Sequence, residues 1–568
     1  MTTYAYLFEA KSIQSYILAT NRLKEIVGAS ELVESLTGSF DTQDALLDHA
    51  LKAIDGEGKI QFSRKGGATF YAFSDDAGLM DKLATLWPLL VRQYAPDLEF
   101  ADAHDYAETL YDAFDKTHKL LLQNRNRQTA RLPQAGPFAI RNRRTGEPAV
   151  GYRPSQKAAQ DEPVDAATYR KLNKKFFQSH QLPKRFAEDS GKDDWPTLLT
   201  PEKGQEGKSF PFIGESRTIA LIHADGNGLG QALLNLKKHA NKNQADYLTL
   251  FAGFSKAVTK ATQQAAQNAT EKVLLQTDDQ GHRKLYPARP IVLGGDDLTI
   301  IVRADLALEF TRHFLEAFAK YSREELEALH EKFPFVPEQL TACAGIAYAK
   351  SSQPFYLLHG LAEGLCKRAK KHAKDWAKNQ KPGVHIPSTL SFHRITTAMV
   401  DEYEDILDWE LTVPGKPNSL CQTLHDRAQK PDLGKSDELV DFRIQTLQAY
   451  ALEETDGLPW LDKLIALRDL LDDEDMARGP ARQVLGLVGQ DLEQAKSRYK
   501  RWREVMGSNE KTQSKLKEFN EILLSLLSGK LGNDLPYGKP IANKHIETVQ
   551  TRATPLGDVI TLLSIARG

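Results

Sequence analysis

The sequence predicts an α+β fold in which two similar sheet-and-helix units are followed by a helical C-terminal region. Three observations carry that expectation. The chain has 568 residues, too many for one core at roughly 100 to 200 residues per domain. Two stretches, one at the start and one in the middle, each run strand, helix, Gly-Gly hairpin, helix. Beyond about residue 400 the apolar residues recur mainly at helical spacing.

The first unit, expected over residues 1–130, opens with a short alternating strand from Thr3 to Phe8. Ile13, Tyr16, Ile17, Leu23, Ile26, Val27, Leu32 and Leu36 then follow a helical period. An extended run from about Lys59 passes through Gly66-Gly67 into Ala68-Thr69-Phe70-Tyr71-Ala72-Phe73, a hairpin signal rich in β-favouring residues. Helices from about Ala77 to Tyr94 and Tyr106 to Asn124 complete it. Residues 131–216 break into Pro, Gly and mixed charge and read as a connector or small irregular domain. Its basic stretch Arg170-Lys171-Leu172-Asn173-Lys174-Lys175 is able to meet RNA, although a solvated helix face is the commoner meaning of such a run.

The second unit, expected over 217–400, begins with the apolar strand Thr218-Ile219-Ala220-Leu221-Ile222, which ends in His223-Ala224-Asp225-Gly226-Asn227-Gly228 before a helix to about Lys238. A long helix is expected from about Asp246 to Asn268. Pro290-Ile291-Val292-Leu293 then enters Gly294-Gly295-Asp296-Asp297 and leaves as Leu298-Thr299-Ile300-Ile301-Val302, strand, tight turn and strand. A helix from about Leu306 to Tyr321, a strand from Leu340 to Tyr348, a helix from Phe355 to Trp376 and an extra strand from Thr389 to His393 follow. The resulting βα-ββ-αβ order suits an antiparallel sheet with helices on one face. From 401 to 568 the candidate helices are Val440 to Leu452, Leu458 to Leu471 and Leu492 to Met506. The last holds Arg498-Tyr499-Lys500-Arg501-Trp502-Arg503, which offers cations and rings to nucleic acid or is an exposed amphipathic helix.

The two units form a degenerate duplication. Where the second has Asp225, the first has Glu9-Ala10-Lys11, and where the second has Asp296-Asp297, the first has Ala68-Thr69. Only the second keeps its carboxylates. With 41 % hydrophobic and 26 % charged residues the chain falls outside the disordered and membrane classes. Its 74 Lys and Arg against 76 Asp and Glu leave a net charge of −2, so any nucleic-acid surface is a local patch. Cys343, Cys366 and Cys421 are too few and too scattered for a disulfide framework or a four-cysteine zinc site, and a cytoplasmic, membrane-free protein is expected.

Nucleotidyl transfer requires charge neutralisation on both the attacking and the leaving oxygen, which two divalent cations about 3.5–4 Å apart supply. Magnesium, or manganese in its place, takes oxygen ligands. Asp225, Asp296 and Asp297 at adjacent strand ends provide three carboxylates, and they are the candidate catalytic and metal-binding residues. Gly294 and Gly295 permit a tight turn and an open approach for a triphosphate. Gly226, Asn227 and Gly228 set backbone N–H groups at a helix start, where phosphate is favoured. Lys367 and Lys370, three apart on one helix, are candidates for the triphosphate tail, and a solvated helix face is the competing reading. Gly-Gly-Asp-Asp alone is also a good turn sequence, and His104-Asp105 reads as an ordinary surface pair.

At Ala224-Asp225-Gly226-Asn227-Gly228 and Leu293-Gly294-Gly295-Asp296-Asp297 the chain resembles the large, polymerase-like subunit of type III CRISPR effector complexes. Phe8-Glu9-Ala10-Lys11-Ser12-Ile13-Gln14-Ser15-Tyr16-Ile17 is similar to that family's first-palm start, and Leu361-Ala362-Glu363-Gly364-Leu365-Cys366-Lys367-Arg368-Ala369-Lys370 to a late second-palm helix. The resemblance implies two ferredoxin-like palm (nucleotidyl cyclase/polymerase) domains, the first lacking metal carboxylates, plus a helical C-terminal domain. It further implies synthesis of cyclic oligoadenylate or a related adenylate messenger from ATP, with Asp225, Asp296 and Asp297 as ligands of Mg2+ or Mn2+. The implied partners are other CRISPR effector subunits with guide RNA and target RNA. Two departures stand out. The first palm starts almost at Met1, so an HD nuclease domain and DNA cleavage are not expected. The stretch Ala139-Ile140-Arg141-Asn142-Arg143-Arg144-Thr145-Gly146-Glu147-Pro148-Ala149 matches the family's cysteine zinc motif without any cysteine, so no zinc is expected. A stand-alone signalling relative, a diguanylate-type cyclase and an RNA-binding scaffold with little turnover are the alternatives.

Overall fold

The computed structural model describes residues 2–39, 44–127, 136, 138–153, 161–177, 179–191, 193–201, 206–215, 217–240, 247–277, 284–381, 384–396, 406–407, 410–414, 439–444, 449–476, 478–539, 541–542 and 549–566. The chain divides into two compact units, one of residues 1–212, 224–341 and 354–356, the other of 213–223, 342–353 and 357–568.

The first unit begins with β1 (Thr3–Ala10), α1 (Ile13–Ile17), α2 (Leu23–Thr37), α3 (Leu46–Ala53), β2 (Gln61–Gly66), β3 (Thr69–Ser74), α4 (Ala77–Tyr94), β4 (Phe100–Ala107) and α5 (Leu110–Arg125). Its sheet has the order β2-β3-β1-β4, with β1 antiparallel to both neighbours. Alternation buries Phe8 of β1 and Phe70 of β3 on one face, where the rings stack at 5.5 Å, and Trp87 of α4 meets both edge-on. All three are fully buried; burial stabilises by about 2–3 kcal/mol per ring. Two expectations fail here. The helix-spaced run from Ile13 to Leu36 is two helices, because the chain turns at residues 18–22, where the Asn21 carboxamide oxygen accepts from the Phe355 N–H. The region before α5, expected to be helical from Tyr106, holds β4, whose buried positions are mostly filled by Phe100, Ala101 and Ala103.

The connector folds as a β5 (Ala149–Arg153) and β6 (Glu162–Asp165) hairpin with short helices α6 (Ala166–Lys171), α7 (Lys174–Phe177) and α8 (Gln181–Lys184). The Asp165 carboxylate closes the loop before β5 by accepting from Asn142 Nδ2 and Thr145 Oγ1, each at 2.6 Å. The basic stretch is not a continuous solvent-facing strip. Lys171 is buried, donates to the Tyr16 carbonyl at 2.6 Å and lies 4.0 Å over the Tyr16 ring, and burial pushes its ammonium down to about 8. Arg170 binds the Gln93 carbonyl at 3.0 Å.

The unit continues with the end of β7 (Thr218–Gly226), then α9 (Leu229–Ala240), α10 (Tyr247–Ala269), β8 (Ala288–Gly294), β9 (Asp297–Arg303) and α11 (Ala307–Lys332). The strand-helix, strand-strand, helix order seen from β1 to α4 thus recurs from β7 to α11. Helices α10 and α11 pack together.

The second unit contains residues 218–223 of β7, β10 (Ala342–Lys350), α12 (Phe355–Lys378), β11 (Thr389–Arg394), β12 (Thr412–Pro414), β13 (Leu439–Arg443) and β14 (Tyr450–Ala451). Helices α13 (Leu461–Asp472), α14 (Arg478–Leu487), α15 (Leu492–Met506) and α16 (Glu510–Leu526) follow, then β15 (Ile541–Ala542), β16 (Val549–Ala553) and α17 (Leu556–Ala566). One sheet runs β14-β11-β10-β7 and another β12-β13-β16-β15. The C-terminal region is largely helical, as expected, but Val440 to Leu452 contains strands rather than a helix. Its Val440-Asp441-Phe442-Arg443 segment has a period of two and pairs in parallel with β16. Cys421 lies outside the described residues. Among the described residues no helix is long and apolar enough to cross a membrane.

Candidate functional site

Strand β7 is apolar because it is buried on both faces: Ile219, Ala220, Leu221 and Ile222 are all fully enclosed. It delivers the partly buried Asp225 at its end. A side chain on the next residue would crowd the acidic cluster. A Cβ on Gly226 would lie 2.9 Å from Asp296 Oδ2 and 3.0 Å from its Cβ, and would overlap Leu229. With that close approach, the Gly226 N–H donates to Asp296 Oδ2 at 3.2 Å. Asn227 is buried, its N–H donating to the Thr341 carbonyl at 2.7 Å and its carboxamide to Thr341 Oγ1 at 3.1 Å. The Gly226 and Asn227 amides therefore organise the strand end, and Gly228, at φ +72°, turns the chain into α9.

Strands β8 and β9 close on the pair Gly294 and Asp297, leaving Gly295-Asp296 as a two-residue turn with φ +61° at Gly295. This turn is held from several directions. Thr262 Oγ1 donates to the Gly295 carbonyl and Arg185 Nη1 to the Leu293 carbonyl, both at 2.6 Å, and Arg185 also pairs with Glu34 at 2.9 Å. A Cβ on Gly294 would reach within 3.4 Å of Gly67 Cα, so the Gly-Gly turns of the two repeats approach each other.

Burial, then a hydrogen bond with Asp225 and the like charges of Asp225 and Asp297, push the Asp296 carboxyl well above the ordinary carboxylate range. The structure thus brings together the three acidic residues singled out from sequence. It also adds one that sequence reading missed: Gln14 Nε2 donates to Asp297 Oδ2 at 3.0 Å across 283 positions of chain. Gln14 lines an open cleft of about 410 Å³ with residues 10–13, Arg125 and Asn126.

Among the described residues no group of three or more His, Cys, Asp or Glu stands preassembled around a metal position. The donor set nevertheless fits a hard divalent cation in kind. It consists of carboxylates gathered closely enough that burial and their mutual charge raise the Asp296 carboxyl, and a cation would offset that charge. The sign of the pH effect follows. Because the folded state binds a proton at Asp296 that the unfolded state has released, this group's contribution to stability falls as pH rises above about 4 and on through the raised value. A divalent cation removes that penalty. Mg2+ or Mn2+ is therefore expected to raise the melting temperature more at pH 8 than at pH 5.5, as read by differential scanning fluorimetry; an equal shift at both pH values would contradict it.

The remaining candidates are placed by their own elements. Lys367 and Lys370 lie on α12 in the second unit, and the exposed Lys367 pairs with Glu363 at 2.7 Å. His104 and Asp105 sit on β4 half-buried rather than at the open surface, beside Asp81 at 3.5 Å and Lys116 at 2.7 Å. In α15, Tyr499 and Trp502 turn inward, Trp502 packing edge-on against Phe519 at 5.1 Å, so these rings are not a stacking platform for bases.

Comparison with protein families matches residues 218–379 to the second palm domain of Cas10/Cmr2. Over these residues the chain is similar to a Cas10/Cmr2 second palm domain. The palm match takes in β7 with Asp225, the Gly294-Gly295-Asp296-Asp297 hairpin and α12 with its two lysines. No curated protein matches the chain. Similar solved structures include Csm1 of T. onnurineus, at 13 % identity and TM-score 0.40, covering 100 % of this chain and 70 % of that one. Others are a Csm1–Csm4 cassette in complex with cA3 (12 %, TM-score 0.37, 65 % of this chain and 53 % of that one) and an apo type III-B Cmr-β assembly (9 %, TM-score 0.37, 63 % and 66 %). The chain thus spans about half the length of the cassette chain it matches. At these scores no side-chain geometry is carried over.

Proposed function

We propose that this chain is a magnesium- or manganese-dependent nucleotidyltransferase that makes cyclic oligoadenylate or a related adenylate messenger from ATP. The observation that carries the reading is the convergence of Asp225, Asp296 and Asp297 at a glycine-flanked strand end and hairpin, within a segment matched to the second palm. The palm family supports a polymerase or cyclase role in general; ATP, the cyclic product and antiviral signalling are the finer part of the proposal. The proposed layout is a degenerate first palm over 1–130, a connector over 131–216, a second palm over 217–400 and a C-terminal domain over 401–568. The proposed setting is a cytoplasmic type III CRISPR effector complex with further subunits, guide RNA and target RNA.

Asp225, Asp296 and Asp297 would hold the cations, which when bound neutralise the charge developing on the phosphate being transferred. The chain's own contribution is positional. Thr262 and Arg185 fix the hairpin carbonyls, so the two turn carboxylates are presented with little freedom. Gly226 removes a side chain that would otherwise crowd Asp296, and Gly294 lets the hairpin turn lie close to Gly67. Incubating the purified chain with ATP and Mg2+, with and without RNA and with GTP as competitor, and analysing products by mass spectrometry tests the proposal. Cyclic or linear adenylates are expected. No product from any nucleotide, with partner subunits present, would leave the chain as an RNA-binding scaffold, and preferred use of GTP would indicate a diguanylate-type cyclase.

A further inference from the structure

The first repeat lacks metal carboxylates, yet it reaches into the site of the second through one side chain. Strand β1 ends at Ala10, whose N–H donates to the Ala68 carbonyl at 3.1 Å. The chain then passes through Ser12 at φ 51° into α1. That short helix is firmly seated. Tyr16 and Ile17 are buried, the Tyr16 N–H returns to the Ser12 carbonyl at 2.9 Å, and Lys171 of the connector caps the Tyr16 carbonyl at 2.6 Å. Gln14 stands between these anchors, so its carboxamide is delivered to Asp297 Oδ2 from a fixed backbone rather than from a loose loop.

We propose that Gln14 is a positioning residue for Asp297: its amide donates to Oδ2 and holds the carboxylate rotamer from which the other oxygen is offered to a divalent cation. A neutral donor suits that place. It neutralises no charge and competes for no cation, whereas a lysine would form an ion pair with the carboxylate and a glutamate would repel it. The inference rests on the reading of Asp297 as a cation ligand, and it makes the first repeat a required part of the second repeat's site.

The variants are Gln14→Ala and Gln14→Glu, which is isosteric and loses the donor, with Asp297→Ala as the control. Two readouts are taken: the Mg2+ or Mn2+ concentration at the midpoint of the thermal-shift titration, and kcat and KM for ATP. Outer hydrogen-bond partners of metal ligands are worth about 10- to 100-fold in affinity or activity. Gln14→Ala is therefore expected to raise the cation midpoint about tenfold and lower kcat about tenfold with little change in KM, while the melting temperature without cation stays the same. Gln14→Glu should fail to restore either. An unchanged cation midpoint in Gln14→Ala, with the unmutated protein responding to cation, overturns the proposal and leaves the cyclase reading standing. If the unmutated protein responds to cation but makes no product, the cyclase reading fails and the midpoint still decides Gln14. No cation response in the unmutated protein overturns both.

Discussion

Replacing Asp296 and Asp297 together by alanine is expected to remove nucleotide product to background, a loss of at least about a thousandfold, while leaving the protein folded. The size of the loss follows from what the carboxylates do. Removing a single donor that stabilises developing charge costs about 10²- to 10³-fold, and here both carboxylates of the hairpin turn go at once. Stability is expected to move the other way. Asp296 is held in an environment that raises its carboxyl through burial, its bond to Asp225 and the charges of Asp225 and Asp297. Taking two acids out of that cluster relieves repulsion which the folded state otherwise carries. The melting temperature of the cation-free variant at pH 8 should therefore equal or exceed that of the unmutated protein. Product analysis by mass spectrometry and a melting curve on the same preparation separate the two effects. Full synthesis by the variant would remove these residues from the chemistry, and a collapsed melting curve would show their role to be architectural.

The parts of this site that were legible in sequence are those in which chemistry and local structure share a few adjacent residues. An apolar strand that stops at Asp225-Gly226, and a hairpin with Gly294-Gly295 before Asp296-Asp297, announce themselves because the glycines are needed for the same turn that exposes the acids. The Gly66-Gly67 hairpin was legible for the same reason, and its strands β2 and β3 close on Gly66 and Thr69. What escaped depends on contacts distant in sequence. Gln14 is an unremarked polar residue in a helical run until β1 and α1 carry it to Asp297. Strand β4 escaped because Ala101 and Ala103 fill buried positions that an apolar scan expects to be large, while Asp102 survives there by accepting from the Tyr6 hydroxyl at 2.9 Å. The basic stretch at residues 170–175 misled because sequence does not distinguish Lys171, buried against Tyr16, from its exposed neighbours Lys174 and Lys175.

Gly345→Ala is expected to be among the damaging single methyl additions in the second unit, although the residue carries no chemistry. Strand β10 and helix α12 meet through small residues: Cys343, Cys366, Ala369 and Ala373 form a buried cluster, and Cys366 Sγ donates to the Cys343 carbonyl at 3.2 Å. That proximity brings helix backbone against the strand. A Cβ at Gly345 would overlap the Ala362 carbonyl oxygen and lie 2.6 Å from the Cys366 N and 2.8 Å from the Leu365 Cβ. Two of these three neighbours are backbone atoms, so no rotamer change makes room and the whole helix must retreat. Overpacking of a tight core costs about 1–3 kcal/mol, and clashes with backbone place this case at about 3 kcal/mol. For a unit of this size that is a fall of about 6–12 °C in melting temperature. Gly360→Ala on the same helix supplies the control, since nothing lies within 4 Å of its Cβ and alanine gains about 0.5–1 kcal/mol over glycine in a helix. A lowered transition for Gly345→Ala beside an unchanged or raised one for Gly360→Ala would locate the cost in the strand–helix contact.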